Sequence, residues 1–439
     1  MARTIVSLYH IINFGFIYQL PFGPNSLAMA PTSDVIIIGA GPVGLLAALI
    51  LVRKGLKVTV LEKAHCISDS PRAIVYLPQT MSTLEEAGVL EDVKEAGLVT
   101  ENGPVFRKAS SHEVLATVRS DALNEEDMPK PDHRNAVLLG QHLLAEIALQ
   151  KLQENGTTVL FDTAFQSLEQ DNSSVIVTAL SAGKLEVFEA SYVLGCDGSH
   201  SAVRKALGIQ FEGFTHDIVF MAVNFRYKNM LDTGFSSAQY LVDPRENKAD
   251  TDFAIILRTG RGDVWRCAYG DDGSLSEEEM RARMLGRLKR ILPLHPDPEQ
   301  VEILQAQPYK IHQRAATTYV KGRSLLAGDA AHVNNPVGGM GLCTGILDAH
   351  VATLALEKAV REGAEAGTVA LQQYNADRRA AFLELTNPVT IDNLRMLCEE
   401  GKEADELRNG FFAKMNASLD FQRGVQLSMN KMAKGLPGF

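Results

Sequence analysis

Asp34-Val35-Ile36-Ile37-Ile38-Gly39-Ala40-Gly41-Pro42-Val43-Gly44 decides the fold of this chain. Val35 to Ile38 is an unbroken β-branched run, the mark of a strand buried on both faces. Gly44 to Lys54 reads as a helix closed by Gly55, and Lys57 to Glu62 as the next strand. Together they make a βαβ unit that opens a doubly wound sheet. The glycines between strand and helix have separate tasks. Gly39 permits the tight turn, Gly41 lets the backbone approach a pyrophosphate, and Gly44 lets the helix pack close to the strand. The phosphates then meet free N–H groups at a helix N-terminus, where the helix dipole also favours negative charge. Glu62 ends the second strand, where its carboxylate can accept ribose hydroxyls and would repel a 2′-phosphate. FAD or NAD is therefore expected, rather than NADP.

Two later segments separate FAD from NAD. Cys196-Asp197-Gly198-Ser199-His200-Ser201 follows the strand-like Tyr192 to Gly195 and runs on to Arg204. Ser324 to Ala327 is another short apolar strand, so the chain returns to the first domain. It leads into Gly328-Asp329-Ala330-Ala331-His332 and then Gly338-Gly339-Met340-Gly341-Leu342-Cys343. A carboxylate at Asp329 can bind a ribityl hydroxyl, which a flavin has and NAD lacks. The helix opened by Gly338 to Cys343 can aim its N-terminus at the flavin N1–C2=O edge, where reduced flavin is anionic. FAD is the cofactor these residues favour.

The rest of the chain organises around that site. Residues 79–97 read as one helix, 100–135 as loops and short strands, and Leu138 to Leu152 as a helix. Between Phe211 and Tyr319 the pattern changes to short alternating runs: Ile218–Phe225, Phe253–Leu257, Val264–Tyr269 and Val301–Gln305. A charged helix from Ser276 to Ile291 interrupts them. This predicts a second, mostly antiparallel domain. The expected division is an apolar leader over 1–30 and a first FAD-binding part over 31–210. A substrate domain over 211–319 follows, then a return to the FAD domain with helices over 320–400. The helical tail over 401–439 is assigned no chemistry. The fold class is thus α/β, a Rossmann-like FAD-binding domain with an interleaved antiparallel sheet domain.

Composition narrows the function classes. Of 439 residues, 46% are hydrophobic and the net charge is −10, which argues against a nucleic-acid partner. The five cysteines are scattered with no C-x-x-C pair, and no histidine spacing suits a metal, so a reduced cytoplasmic protein without metal is expected. Ile5 to Leu20 is apolar but broken by Ser7, His10, Asn13 and Gln19, and it is shorter than the roughly 20 residues that span a bilayer. Arg3 and Ala28-Met29-Ala30 imitate a secretory signal. Met29-Ala30-Pro31-Thr32-Ser33 reads equally as an ordinary start, and membrane association rests on that leader alone.

The three glycine fingerprints, in this order, resemble the class A flavoprotein monooxygenases, the p-hydroxybenzoate hydroxylase-like aromatic hydroxylases. Within them the chain looks like the fungal phenol and 3-hydroxyphenylpropionate hydroxylases, from about Asp34 to about Leu397. The resemblance implies that Gly39, Gly41, Gly44 and Glu62 hold the ADP half of FAD. Arg72 and Gln141 would lie near the flavin and ribityl chain. Asp197 and Gly198, closed by Arg204, form the second fingerprint; Asp329 would bind ribityl, and Pro336, Gly339 and Gly341 would cover the ring. Cys343 stands where many relatives have Asn, and reads as a packing residue. His332 reads as a residue that holds its loop.

The resemblance further implies that NAD(P)H, a transient co-substrate with no second G-x-G-x-x-G to hold it, reduces the FAD. O2 then forms a C4a-hydroperoxide that hydroxylates a small phenolic substrate, in a decarboxylative variant with loss of CO2. Aromatic or polyketide secondary metabolism is the expected setting. A flavin epoxidase of a terpenoid chain and a flavin-binding protein without turnover stay open, as does a homodimer. Tyr240, Arg266, Tyr269 and Arg258 could hold a phenolate, or be ordinary sheet residues.

Overall fold

The computed structural model describes residues 33–70, 72–235, 238–246, 251–260 and 262–438. The leader read over 1–30, with the start at Met29, lies outside them. Strand β1 (Ser33–Ile38), helix α1 (Pro42–Arg53) and strand β2 (Val58–Leu61) form the expected βαβ unit. β1 pairs parallel with β2, Ile37 opposite Val60, and with the end of the long strand Lys184–Gly195, Ile37 opposite Leu194. Ser324–Leu326 adds parallel to that long strand on its far side, so the returning chain does complete the first sheet. Val35, Ile36 and Ile37 have no exposed surface. Burying such side chains contributes about 1.5–3 kcal/mol each, which is why this run is a central strand.

A second sheet runs in the order His332–Val333, Glu302–Ala316, Phe211–Arg226, Val264–Asp272, Ala254–Arg258, Gln239–Val242, Val105–Lys108, Val114–Thr117. It is antiparallel except where Gln239–Val242 meets Val105–Lys108, Tyr240 opposite Phe106. Two of its strands thus come from the polar stretch before residue 120. One face packs on the helix Glu277–Ile291 through Trp265, Cys267, Tyr269, Met280 and Leu288. That helix starts at a capping box in which Ser276 and Glu279 bond reciprocally to each other's backbone N–H. The other face gathers Phe220, Tyr240, Ile255 and Ala268 against Leu394, Leu397, Phe412 and Met415 of the C-terminal helices.

The single helix expected over 79–97 is broken. Met81–Glu86 and Leu90–Ala96 are separate helices. Gly88 lies between them at φ +74°, a left-handed position that ends a helix, with the Arg53 guanidinium filling the space a side chain would need. The first of the helices expected in the returning segment is Met340–Arg361.

Candidate functional site

The glycine turn after β1 is built by close contact. A Cβ on Gly44 would sit 2.0 Å from the Gly39 carbonyl oxygen, and one on Gly39 would sit 2.5 Å from the Cys196 carbonyl oxygen. These glycines lock the first fingerprint against the second. Gly41 differs: a Cβ there would meet nothing within 4 Å, because the residue faces an open cavity. α1 begins at that point with Pro42 in its first turn and no side-chain cap, so its leading N–H groups are left for a ligand.

The structure brings Gly41, Glu62, Arg72, Gln141, Gly198, Asp329 and Gly341 onto the wall of this one cavity. Gly39 and Gly44 pack the turn beside it, while Asp197, Pro336 and Gly339 are not among its described lining residues. Glu62 does structural work as well: its Oε2 accepts the Ala40 N–H at 2.7 Å and its Oε1 the Ala64 N–H at 2.8 Å. A carboxylate has about four acceptor positions, so each oxygen keeps one for a ribose hydroxyl. Asp197 uses Oδ2 to cap the short helix Ala202–Ala206, accepting from Ala202 and Val203, while its Oδ1 is buried without a partner among the described residues. Arg204 ties the second fingerprint to the third. It donates to the Ser199 and Ala330 carbonyls and stacks 3.8 Å over the Phe211 ring.

Asp329 opens into the cavity with no hydrogen-bond partner among the described residues. Much of its side chain is accessible at the cavity wall. Desolvation by the surrounding protein raises its carboxyl above the usual range, against the pull of His332 and Arg72. His332 itself is buried. A carboxylate can only accept, so Nε2–H of His332 donates to Asp348 Oδ2 at 2.6 Å. The ring stacks on Phe382 at 4.6 Å, and the residue holds its loop.

The turn Pro336 to Gly339 leads into Met340–Arg361, whose N-cap Gly339 sits at φ +66° with no side-chain cap and no acid in the first turn. Gly341 and Leu342 look into the glycine-lined cavity, while Val337, Gly338 and Met340 look into a second one. Cys343 is buried behind this junction, its thiol donating to the Val75 carbonyl at 3.3 Å and pushed up to about 12 by burial, so it packs rather than reacts.

The second cavity has about 220 Å³ and a mainly apolar wall that includes Leu77, Phe106, Leu138, Tyr240, Met396 and Phe411. Of the four residues weighed for holding a phenolate, Tyr240 lines it. Burial pushes its hydroxyl up to about 12, partly offset by the Gly338 N–H that it accepts. Arg266 instead donates to Asn224 at 2.9 Å. Tyr269 lies on the opposite face of the sheet, under Arg287. Arg258 bonds the Gly262 carbonyl at 2.9 Å. Phe411, Val425, Gln426 and Met429 of the C-terminal tail also line this cavity, a role the sequence reading did not assign. Their helical spacing fits a core contact just as well.

The fit to FAD rests on these features together: uncapped helix N-termini at Gly41 and Gly339, open space over Gly41 and Gly198, the buried unpartnered Oδ1 of Asp197, and the Asp329 carboxylate on the cavity wall. No group of three or more His, Cys, Asp or Glu among the described residues could hold a metal ion, and none of their helices is long and apolar enough to cross a membrane.

A family model described as an FAD binding domain matches residues 32–387. Para-nitrophenol 4-monooxygenase of Pseudomonas sp. (strain WBC-3) is 33% identical over 407 residues, 92% of this chain and 97% of that protein. 6-Hydroxy-3-succinoylpyridine 3-monooxygenase of Pseudomonas putida is 34% identical over 371 residues, 84% of this chain and 90% of that protein. The crystal structure of p-nitrophenol 4-monooxygenase from Pseudomonas putida superposes with a TM-score of 0.86 at 32% identity, covering 92% of this chain and 99% of that one.

Proposed function

The chain belongs to the FAD binding domain family, among the class A flavin-dependent aromatic hydroxylases, and from that premise we propose that it hydroxylates a small phenol with NAD(P)H and O2. The observation that carries this reading is the junction at 337–342. One stretch of backbone forms a wall of both the glycine-lined cavity and the apolar cavity.

In this reading α1 and Gly39–Gly44 take the pyrophosphate, Glu62 the adenosine ribose, and Asp329 the ribityl chain. Arg72, Gln141, Asp197 and Gly198 surround the remainder, and Pro336, Gly339 and Gly341 back the ring. Bound FAD, reduced by NAD(P)H, supplies the oxygen-activating chemistry. The protein orients the phenol, keeps the apolar cavity dry and aims the Met340–Arg361 helix dipole at developing negative charge. Tyr240 stays protonated at neutral pH, since its hydroxyl titrates only near 12. It therefore serves as a hydrogen-bond donor to the substrate oxygen, not as a base.

Both relatives' names place the new oxygen on the ring carbon para to the hydroxyl, where the substrate already carries a group. We read the same position here, which accommodates a decarboxylative course if that group is a carboxylate. At about 220 Å³ the apolar cavity is smaller than the roughly 300–1,000 Å³ of drug-sized sites, and this favours a single ring over a polyketide-sized one. A cytoplasmic setting goes with this reading.

The test is NADH and NADPH oxidation by FAD-loaded protein against para-substituted phenols, with product masses recorded. Stimulated oxidation with a hydroxylated product, the para group retained or displaced, is expected. A protein that binds FAD but responds to no phenol would defeat the proposal. Tyr240→Phe is expected to lower kcat/KM roughly tenfold, the worth of one hydrogen bond to a charged partner, without changing FAD content. Asp329→Ala is expected to weaken FAD binding by roughly ten- to a hundredfold in a fluorescence titration. Its apo-protein should be at least as stable as the parent, because the desolvated carboxylate has no hydrogen-bond partner among the described residues to lose.

A further inference from the structure

The apolar cavity has an uncompensated charge. Among the described residues its lining contains no Asp or Glu, and Arg134 is the one charged side chain there. Its guanidinium gives the cavity wall a positive charge. Asp132, the acid nearest to it in sequence, and Glu85, the partner of Lys130, are paired elsewhere. Lys130 binds Glu85 at 2.5 Å, and Lys94 binds Asp132 at 2.9 Å. Among the described residues Arg134 has no hydrogen-bond, ion-pair or ring partner, although it is half-buried. Its neighbour Asn135 lines the same cavity, and its buried Oδ1 has no partner among the described residues either.

A partnerless cation in a mostly apolar wall is costly unless a ligand completes it. The chain as a whole is negative, at −10. An anionic ligand gains little from the overall field, and its selection must come from a local cation. We propose that Arg134, with Asn135 beside it, is the specificity determinant for a small phenol that carries one negative charge, on a carboxylate or on the phenolate oxygen itself. A carboxylate would take the guanidinium fork by two parallel N–H···O bonds, a phenolate by one. Arg134 comes from the turn before Val137–Leu138, whereas Tyr240 and Gly338 form different walls. The ligand thus meets a neutral donor and a cation as separate contacts. This inference rests on the hydroxylase reading and names its substrate class.

The experiment is equilibrium binding to FAD-loaded protein, followed by perturbation of the flavin spectrum. The ligands are 4-hydroxybenzoate, 4-nitrophenol above its ionisation point, and neutral 4-hydroxybenzamide. They are compared in the parent, Arg134→Met and Arg134→Lys. The parent should favour at least one anion over the amide by roughly tenfold or more, the size of a charge-assisted bond. Preference for the hydroxybenzoate identifies the carboxylate as the bound charge, and preference for nitrophenolate identifies the phenolate. In Arg134→Met the anion-to-amide ratio should collapse towards one, while Arg134→Lys recovers part of it and FAD content stays constant in both. An unchanged ratio in Arg134→Met, or a parent that binds all three equally, overturns the role of Arg134 but leaves the hydroxylase reading standing if phenols still drive NAD(P)H oxidation. If no phenol perturbs the flavin or stimulates oxidation, both readings fall together.

Discussion

Gly41→Val is expected to fold as the parent does and to purify without FAD. Gly41 sits at φ −72°, ψ 172°, extended backbone that any residue adopts. A Cβ added there meets no protein atom within 4 Å. The apo-protein has room for the added Cβ, and exchanging glycine for valine at the N-cap of α1 should cost no more than about 1 kcal/mol. The added methyls would instead project into the cavity, where the pyrophosphate must approach the uncapped end of α1. Losing two charge-assisted hydrogen bonds of about 1.5–3 kcal/mol each would weaken FAD by at least roughly a hundredfold. Gly44→Ala should behave in the opposite way. Its Cβ would lie 2.0 Å from the Gly39 carbonyl oxygen, backbone that cannot yield without moving the strand. That overpacking costs about 1–3 kcal/mol or more before any ligand is considered. Denaturant unfolding of the two apo-proteins, with FAD fluorescence titrations beside it, separates the effects. If Gly41→Val kept near-parental FAD affinity, the phosphates would not lie at this turn.

The contrast between those two glycines explains what the sequence could reveal. The βαβ unit was legible because a buried strand, a turn glycine and a helix follow one another within thirty residues, and each constrains its neighbour locally. Ser324–Leu326 and Gly328-Asp329 were legible for the same reason. The strands Val105–Lys108 and Val114–Thr117 were not assigned to the second sheet. They are short, lie in polar surroundings, and join through a parallel pairing with Gln239–Val242 more than 130 residues away. No local pattern records such a partner. The break at Gly88 was missed because glycine inside an apolar-periodic stretch is tolerated often enough to pass as helix. Phe411, Val425 and Met429 carry helical spacing that is the same whether the helix covers a core or a cavity. Arg134 is harder still. Its meaning comes from the acids that are absent around it, which only the folded arrangement shows.

Asp348→Ala is expected to be the most destabilising of the substitutions considered, and it links the core to the site. The Asp348 carboxylate has no exposed surface. Its Oδ1 accepts Arg378 Nε at 2.7 Å, and its Oδ2 accepts both His332 Nε2 at 2.6 Å and the Gly328 N–H at 3.0 Å. Arg378 is equally buried and, among the described residues, otherwise bonds only to backbone carbonyls, those of Thr344, Met432 and Lys434. Removing the carboxylate strands that guanidinium in the core, at a cost of about 3–5 kcal/mol. It also frees the Gly328 N–H that fixes the turn before Asp329, so FAD affinity should fall together with stability. Asp348→Asn keeps the shape and removes the charge, which exposes the pH dependence. Burial alone would raise this carboxyl, but His332 and Arg378 outweigh it and hold the group below the usual carboxylate range. A carboxyl lowered by folding contributes its full stability above its unfolded value of about 3.9 and loses it as pH falls through the lower folded value. Denaturant unfolding of parent and Asp348→Asn should therefore show a constant gap above about pH 5 that narrows below pH 4. A gap that stayed the same width into acid would mean that Asp348 is not held as the charged partner of Arg378, and the turn at Gly328 would need another anchor.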